Sequence, residues 1–295
     1  MRNTLLTTLL LCIVCLFNVT TIDAKNHALL IGISKYSPKY NWNTISGTND
    51  VDLIKGMLKG FSIRELRNEK ATYSNIAKEF ERLIQQSKPA DNVYIHFSGH
   101  GQPVEDYDGD ESDGWDEAFV PYDAGDKYIS GVYEGDKHFL DDTLNGYLER
   151  LRKKLGPSGI VYVVIDACHA GEHYRGEEDE DEAPIRGSIY GISKNDKRFV
   201  AKLNNVKHYP IKSESDKSNI VVLEACRSYQ VNREIKRDGK FYGPLSYSVF
   251  LVMKETPIQS NKMWFKSVEE TFNKQRTAGN SQRMVIESTI DSQTR

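Results

Sequence analysis

The 295-residue chain has little of several things, and each shortage narrows what it can be. It has four cysteines, and Cys12 and Cys15 lie in an apolar leader. A secreted domain could join the other two, Cys168 and Cys226, in a disulfide. Both follow apolar strands, however, and a bond would silence the thiol discussed below, so two free thiols are expected. The net charge is only −3, and aromatic residues do not interleave with basic clusters, so composition gives nucleic-acid binding no support. There is no internal repeat. The apolar run Leu5–Val19, behind Arg2 and before Thr20–Ala24, is too short for a comfortable membrane span. It reads as a secretory leader cut after Ala24, which places the mature chain outside the cell or in the periplasm. Bulky Leu11 and Val14 before the leader cysteines argue against a lipoprotein cut. The remaining residues 25–295 suit one α/β domain.

What is present centres on two stretches of the same build. Ile160–Asp166 is nearly all apolar and β-branched, as a strand buried on both faces requires. Cys168 follows two residues past its end, and Gly171 lets the backbone turn away. Val93–Phe97 is a second apolar strand, followed at once by Ser98-Gly99-His100-Gly101. If the strands are parallel neighbours, His100 and Cys168 emerge at the carboxyl edge of one sheet, where open α/β sheets bind ligands. A thiol and an imidazole there make a nucleophile and a base for acyl transfer. The oxyanion of that reaction needs backbone N–H donors, and the amides of Cys168 and Gly101 are the candidates. A two-residue step along a strand keeps side chains on one face, so Ser98 and Asp166 should point into the same cleft. His169 and His173 lie beside Cys168, and a zinc site from His100, Cys168 and His169 is the rival chemistry. Adjacent Cys and His rarely both reach one metal.

The motifs Ser98–Gly101 (SGHG) and Asp166–Gly171 (DACHAG), with the acidic run Gly109–Asp123 between them, resemble the caspase-like cysteine peptidases of family C14, clan CD. The metacaspase branch is the most similar, with Asp-Ala-Cys replacing the caspase Gln-Ala-Cys. The resemblance covers Asn26 to about Glu287. It implies the caspase–haemoglobinase fold and hydrolysis of peptide bonds after Arg or Lys by a Cys168–His100 dyad. It also implies an acidic pocket for the basic side chain, lined by Asp50, Ser98 and Asp166. No cofactor is required. Calcium is implied at Asp116, Asp141 and Asp142, although Arg175 stands where the family has a fourth carboxylate, with Glu172 and Glu177 near it. Asn49 or Asp50 could also cap the helix that opens at Gly47, and Asp141-Asp142 could merely cap theirs. Asp166 could spend its carboxylate on backbone amides. The partners expected are protein or peptide substrates with a basic residue at the cut, and the chain is read as a monomer. A clostripain- or gingipain-like peptidase and an inactive binding module are the alternatives.

The order of elements reads β-α-β-α-β-α-β-β-α-α-β. That is an α/β class fold with a mostly parallel central sheet of about six strands and helices on both faces. His27–Ile33, Val93–Phe97, Ile160–Asp166 and Asn219–Ala225 are the buried strands, with short ones at Glu65–Ala71 and Met284–Glu287. Helices are expected from Gly47, over Tyr73–Ser87, Thr143–Leu155, Gly243–Met253 and Trp264–Gln275. Gln102–Asp116 reads as a solvated acidic loop. A large-subunit-like part to about 175 precedes an insertion at about 176–218 and a small-subunit-like part at 219–295. The block Glu177–Glu182 should repel itself and stay extended. Arg186, Lys194, Lys197 and Arg198 downstream are then exposed candidates for self-cleavage, raised in effective concentration by their tether.

Overall fold

The computed structural model describes residues 24–109, 111, 113–168, 183–188, 190–195, 199, 211, 213–227, 230–275 and 282–290. In chain order the elements are β1 Asn26–Gly32, α1 Gly47–Met57, β2 Phe61–Arg67, α2 Tyr73–Gln86, β3 Asn92–Ser98, β4 Gly101–Glu105, β5 Trp115–Phe119, β6 Phe139–Leu140 and α3 Asp141–Leu155. They continue with β7 Ile160–Asp166, β8 Asn219–Glu224, β9 Ile235–Arg237, β10 Lys240–Tyr242, α4 Pro244–Glu255, α5 Lys262–Gln275 and β11 Val285–Ser288. The acidic block Glu177–Glu182, His169, Glu172, His173, Arg175, Lys197 and Arg198 lie outside the described residues.

A six-stranded sheet in the order β11-β8-β7-β3-β1-β2 forms the middle layer. Its strands run parallel except β11, which pairs antiparallel with β8. The chain is therefore an α/β protein with a mostly parallel sheet, as its pattern predicts. Alternate strand residues feed two cores. Leu29, Ile31, Ile95, Phe97, Val161 and Val163 pack with Phe80 of α2 and Leu151 of α3. Ala28, Leu30, Tyr94, Tyr162 and Val164 pack with Ile54 of α1, Val249 of α4 and Phe265 of α5. Both faces are thus covered, which is why these strands read as continuous apolar runs.

Register decides where the chemistry sits. Gly32 pairs with Ser98, and Ser98 with Asp166, so β1, β3 and β7 end level. His100 and Cys168 each follow two residues beyond that line. Next to His100 the chain turns into the antiparallel sheet β4-β5-β6, where an acidic loop was expected. The polar residues that hid β4 are buried against polar partners. Gln102 Oε1 accepts from His138 Nε2 at 2.7 Å, and Glu105 accepts from the Ser193 hydroxyl at 2.6 Å. The second core strand is Phe61–Arg67 rather than Glu65–Ala71, with the short turn Asn68–Lys70 after it.

Helix α1 starts hard against the sheet edge, and Gly47 makes that approach possible. A Cβ there would lie 2.4 Å from the Ser98 carbonyl oxygen and 2.6 Å from that of Ile33. Both obstacles are backbone, so neither swings aside. Gly47→Ala should cost about 1–3 kcal/mol in urea unfolding, the usual range for overpacking. Stability equal to the parent would show that α1 has room to retreat.

Candidate active site

His100 is held by its backbone and by aromatic contacts with its ring. Its N–H donates to the Tyr36 hydroxyl at 2.7 Å, and its ring stacks on Trp42 at 5.0 Å. Nε2 lies 3.0 Å from the Asn43 carbonyl oxygen. A carbonyl only accepts, so the proton is assigned to Nε2, and Nδ1 keeps a lone pair. Nδ1 is buried and makes no hydrogen bond within the described residues. Burial lowers the imidazole pKa to about 4, so the ring is neutral at pH 7 and able to take a proton. Cys168 is fully buried, and its thiol donates to the Gln230 carbonyl at 2.6 Å. Cys226 is a second free, buried thiol beside it. A hydrogen bond with Cys168, together with burial, raises the Cys226 pKa.

Next to this pair an arginine is buried without access to water. Arg186 has 0% of its surface exposed. Its Nη1 lies 2.8 Å from Asp50 Oδ2 and 3.6 Å from Asp166 Oδ1, and donates to Ser98 Oγ at 2.7 Å. Its Nε and Nη2 both donate to Glu234 Oε1, at 3.0 and 2.7 Å. Ser98 in turn donates to Asp50 at 2.6 Å, and the Gly243 amide donates to Asp50 at 3.0 Å. Burial pushes the Asp50 carboxyl up to about 7. The guanidinium opposes that rise, and the charges of Asp166 and Glu234 add to it.

Asp166 is braced from behind. Its Oδ2 accepts from the amide and the hydroxyl of Ser246, at 2.7 and 2.8 Å, and its Oδ1 from Asn232 at 2.8 Å. Ser246 spends its proton on Asp166, so it accepts from His96 Nε2 at 3.1 Å, and His96 Nδ1 accepts from the Tyr94 hydroxyl at 3.2 Å. One direction of donation runs through all four groups. Burial lowers the His96 pKa to about 4, keeping it neutral in this chain of bonds. Asp166 therefore binds a backbone amide and also places its charge near the Arg186 guanidinium.

The backbone of Arg186 is placed as tightly as its side chain. Its carbonyl oxygen accepts from the Gly101 amide at 3.1 Å and from the Cys168 amide at 3.0 Å. Its amide donates to the Asn232 carbonyl at 2.9 Å, and the Glu234 amide donates to Pro184 at 2.9 Å. Ile185 and Arg233 form an antiparallel bridge between those bonds. Residues 184–186 thus lie as an extended strand on residues 232–234. On the other side of Arg186, Ile192 is buried and bridges in parallel to Val104, and Gln102 donates to the Tyr190 carbonyl at 2.7 Å. A peptide carbonyl rests in two amides beside a thiol, with a basic side chain in an acidic pocket. Two amides on one carbonyl oxygen make the kind of cradle that can stabilise an oxyanion in acyl transfer.

The caspase domain family, peptidase C14, matches residues 25–294. The chain belongs to the caspase-domain peptidases. This caspase domain is 24% identical over 222 residues to metacaspase-1B of Aspergillus fumigatus, an alignment covering 67% of the chain and 52% of that protein. Metacaspase-1 of Meyerozyma guilliermondii is 21% identical over 283 residues, covering 83% and 65%. The chain spans about half the length of the first of these relatives. Among solved structures, a Geobacter sulfurreducens protein superposes with TM-score 0.60 at 19% identity, covering 91% of this chain and 95% of that one. Caspase-1 of Spodoptera frugiperda gives 0.53 at 11%, covering 90% and 87%. The fold is caspase-like.

The caspase domain gathers His100, Cys168, Gly101, Asp50, Ser98, Asp166 and Arg186 into one site. Arg186 is the correction: it was expected on an exposed, weakly held insertion, but three carboxylates from separate elements bury it. The apolar anchor Ile192 pins the segment further along. Lys194 is exposed, as expected. Asp50 does not cap α1, whose N-cap residue is Ser46, and α3 follows Leu140 with no side-chain cap. Glu234, Asn232 and the Asn43 carbonyl escaped sequence reasoning. Glu234 carries no strand or helix pattern around it, and a backbone carbonyl leaves no side-chain signature at all.

The calcium candidates are close but not closed on a point. Burial pushes the Asp141 carboxyl up to about 8, and Glu117, Asp142, Asp116 and Glu111 push the same way. Asp141 Oδ1 is buried without a hydrogen bond. Among the described residues, no three His, Cys, Asp or Glu side chains are placed to share a metal ion. The raised pKa has a readable sign. The folded state keeps the Asp141 proton that the unfolded chain releases near its ordinary value. This group's contribution is fully favourable below that value and is lost as pH rises toward 8. Asp141→Asn should therefore gain thermal stability on the parent, in chelator, as pH rises from about 5 to 8. A constant gap would show the carboxyl ionised throughout.

Proposed function

We propose that this caspase domain is a cysteine endopeptidase that cuts after basic residues, arginine above all, and that its own Arg186–Gly187 bond is its first substrate. One observation carries the reading: the Arg186 carbonyl lies in the Gly101 and Cys168 amides while its side chain fills the acidic pocket. His100 Nδ1 takes the Cys168 proton, and the thiolate leaves the Gln230 carbonyl to attack the Arg186 carbonyl carbon. The two amides hold the oxyanion. The bond to Gly187 breaks, and His100 returns the proton to the departing amine. Water, deprotonated by His100, then splits the thioester, leaving the Arg186 carboxylate and a free Cys168 thiol. The complete dyad, cradle and pocket argue against an inactive binding module. Until the segment is cut or displaced, Arg186 excludes other substrates.

The apolar leader supports secretion or a periplasmic location. Among the described residues no helix is long and apolar enough to cross a membrane. Calcium enters the reading as relief for the like charges around Asp141, and no catalytic step depends on it. Millimolar calcium should raise the unfolding temperature of the full chain by mass action. Calorimetry showing no binding at several millimolar would remove calcium from the account.

Mass spectrometry tests self-cleavage. Wild type should yield a fragment ending at Arg186 and another beginning at Gly187, while Cys168→Ala and His100→Ala stay whole. The pieces should co-elute under native conditions, because β8 sits between β7 and β11 in one sheet. Intact wild type after long incubation with calcium, or equal cutting of Cys168→Ala, would sink the proposal.

A further inference from the structure

The pocket grips its arginine on two edges, and the edges are chemically different. Nη1 faces Ser98 and Asp50, with the Asp166 carbonyl at 3.1 Å. The opposite edge, Nε with Nη2, belongs to Glu234 Oε1 alone. That oxygen is fixed in place by the Ser46 amide, which donates to it at 2.7 Å just before α1. The backbone of Glu234 also holds the Pro184 carbonyl, so one residue reads both the buried side chain and the strand two positions before the cut. Glu234 is 2% exposed, and its Oε2 is buried without a hydrogen bond.

We infer that Glu234 selects arginine over lysine at the cleaved position. The inference rests on the peptidase reading above and sharpens its substrate class. A lysine carries a methylene where arginine carries Nε, so Glu234 Oε1 would face carbon at a hydrogen-bonding distance. Its ammonium occupies the place of the guanidinium carbon, one bond short of Nη1 and Nη2. It can be drawn toward Asp50 and Ser98 or toward Glu234, but it cannot bridge both walls in the planar fork that arginine provides. A buried carboxylate left without its donor is the costly outcome, and sites built around a donor reject analogues that lack it. Asp50 and Asp166 attract either cation by charge; Glu234 adds the shape.

The test uses full-length chains carrying Arg186→Ala, so that neither self-cleavage nor the internal arginine enters the comparison. Two fluorogenic peptides, identical except for Arg or Lys before the leaving group, are assayed with Glu234 intact and with Glu234→Gln. With Glu234 intact, kcat/KM for arginine should exceed that for lysine by roughly tenfold or more, the worth of a charge-assisted bond. Glu234→Gln should collapse that ratio, chiefly through loss on arginine. An unchanged ratio overturns the proposal. Failure of the chain with intact Glu234 to cut either peptide counts against the peptidase reading instead. A second measurement then decides the role of Glu234 alone. In the Cys168→Ala chain, Arg186→Lys should lower the unfolding temperature markedly when Glu234 is present and much less when it is Gln. Additive losses would show that Glu234 does not distinguish the two cations.

Discussion

A single guanidinium pairs with three carboxylates that the fold has taken out of water. Asp50 comes from α1, Asp166 from the end of β7 and Glu234 from the stretch before β9, and Arg186 touches all three. Each carboxylate alone would pay several kcal/mol of desolvation, and removing the cation would leave that cost uncompensated. The cluster keeps a net negative balance even when filled. The Asp50 carboxyl, raised to about 7, can hold a proton near neutrality, which moderates that balance. The loop before β9, the start of α1, the end of β7 and residues 184–186 are thus held in one place by one charge. The apolar cores build the sheet; this ion cluster joins the loops above it.

The geometry around the cluster separates rigid parts from replaceable ones. Cys168, His100 and the Gly101 amide stand on short extensions of buried strands. The Arg186 segment is attached by four backbone bonds and by its side chain. Nothing in its position requires Arg186 to be part of the same chain, since every contact it makes is one an outside peptide could reproduce. The pairing with residues 232–234 uses backbone groups alone, while the carboxylates contact the side chain.

Much of this was legible before the fold was known, and the gaps have physical causes. Strand β7 was read to its bounds because a doubly buried strand has nowhere to put a polar residue. His100 and Cys168 followed from two such strands ending in glycine-rich turns. Strand β4 was invisible because Gln102 and Glu105 are buried through side-chain hydrogen bonds, which no hydropathy pattern encodes. Arg186 was misplaced for a related reason. A basic residue downstream of an acidic block looks solvated, and its burial depends on carboxylates brought from other elements by the sheet. Local pattern reports burial well when burial is apolar, and poorly when charges satisfy one another across long separations.

The level ends of β1, β3 and β7 have a consequence for how this protein can vary. Gly32, Ser98 and Asp166 share one line across three strands, and side chains alternate faces at every residue. A single-residue insertion within β7 would turn Asp166 away from the pocket, carry Cys168 off the Arg186 carbonyl and exchange the two cores' side chains, all in one step. Tolerance to length change is therefore lowest in the strands that set this line and in the short extensions that carry His100 and Cys168 beyond it.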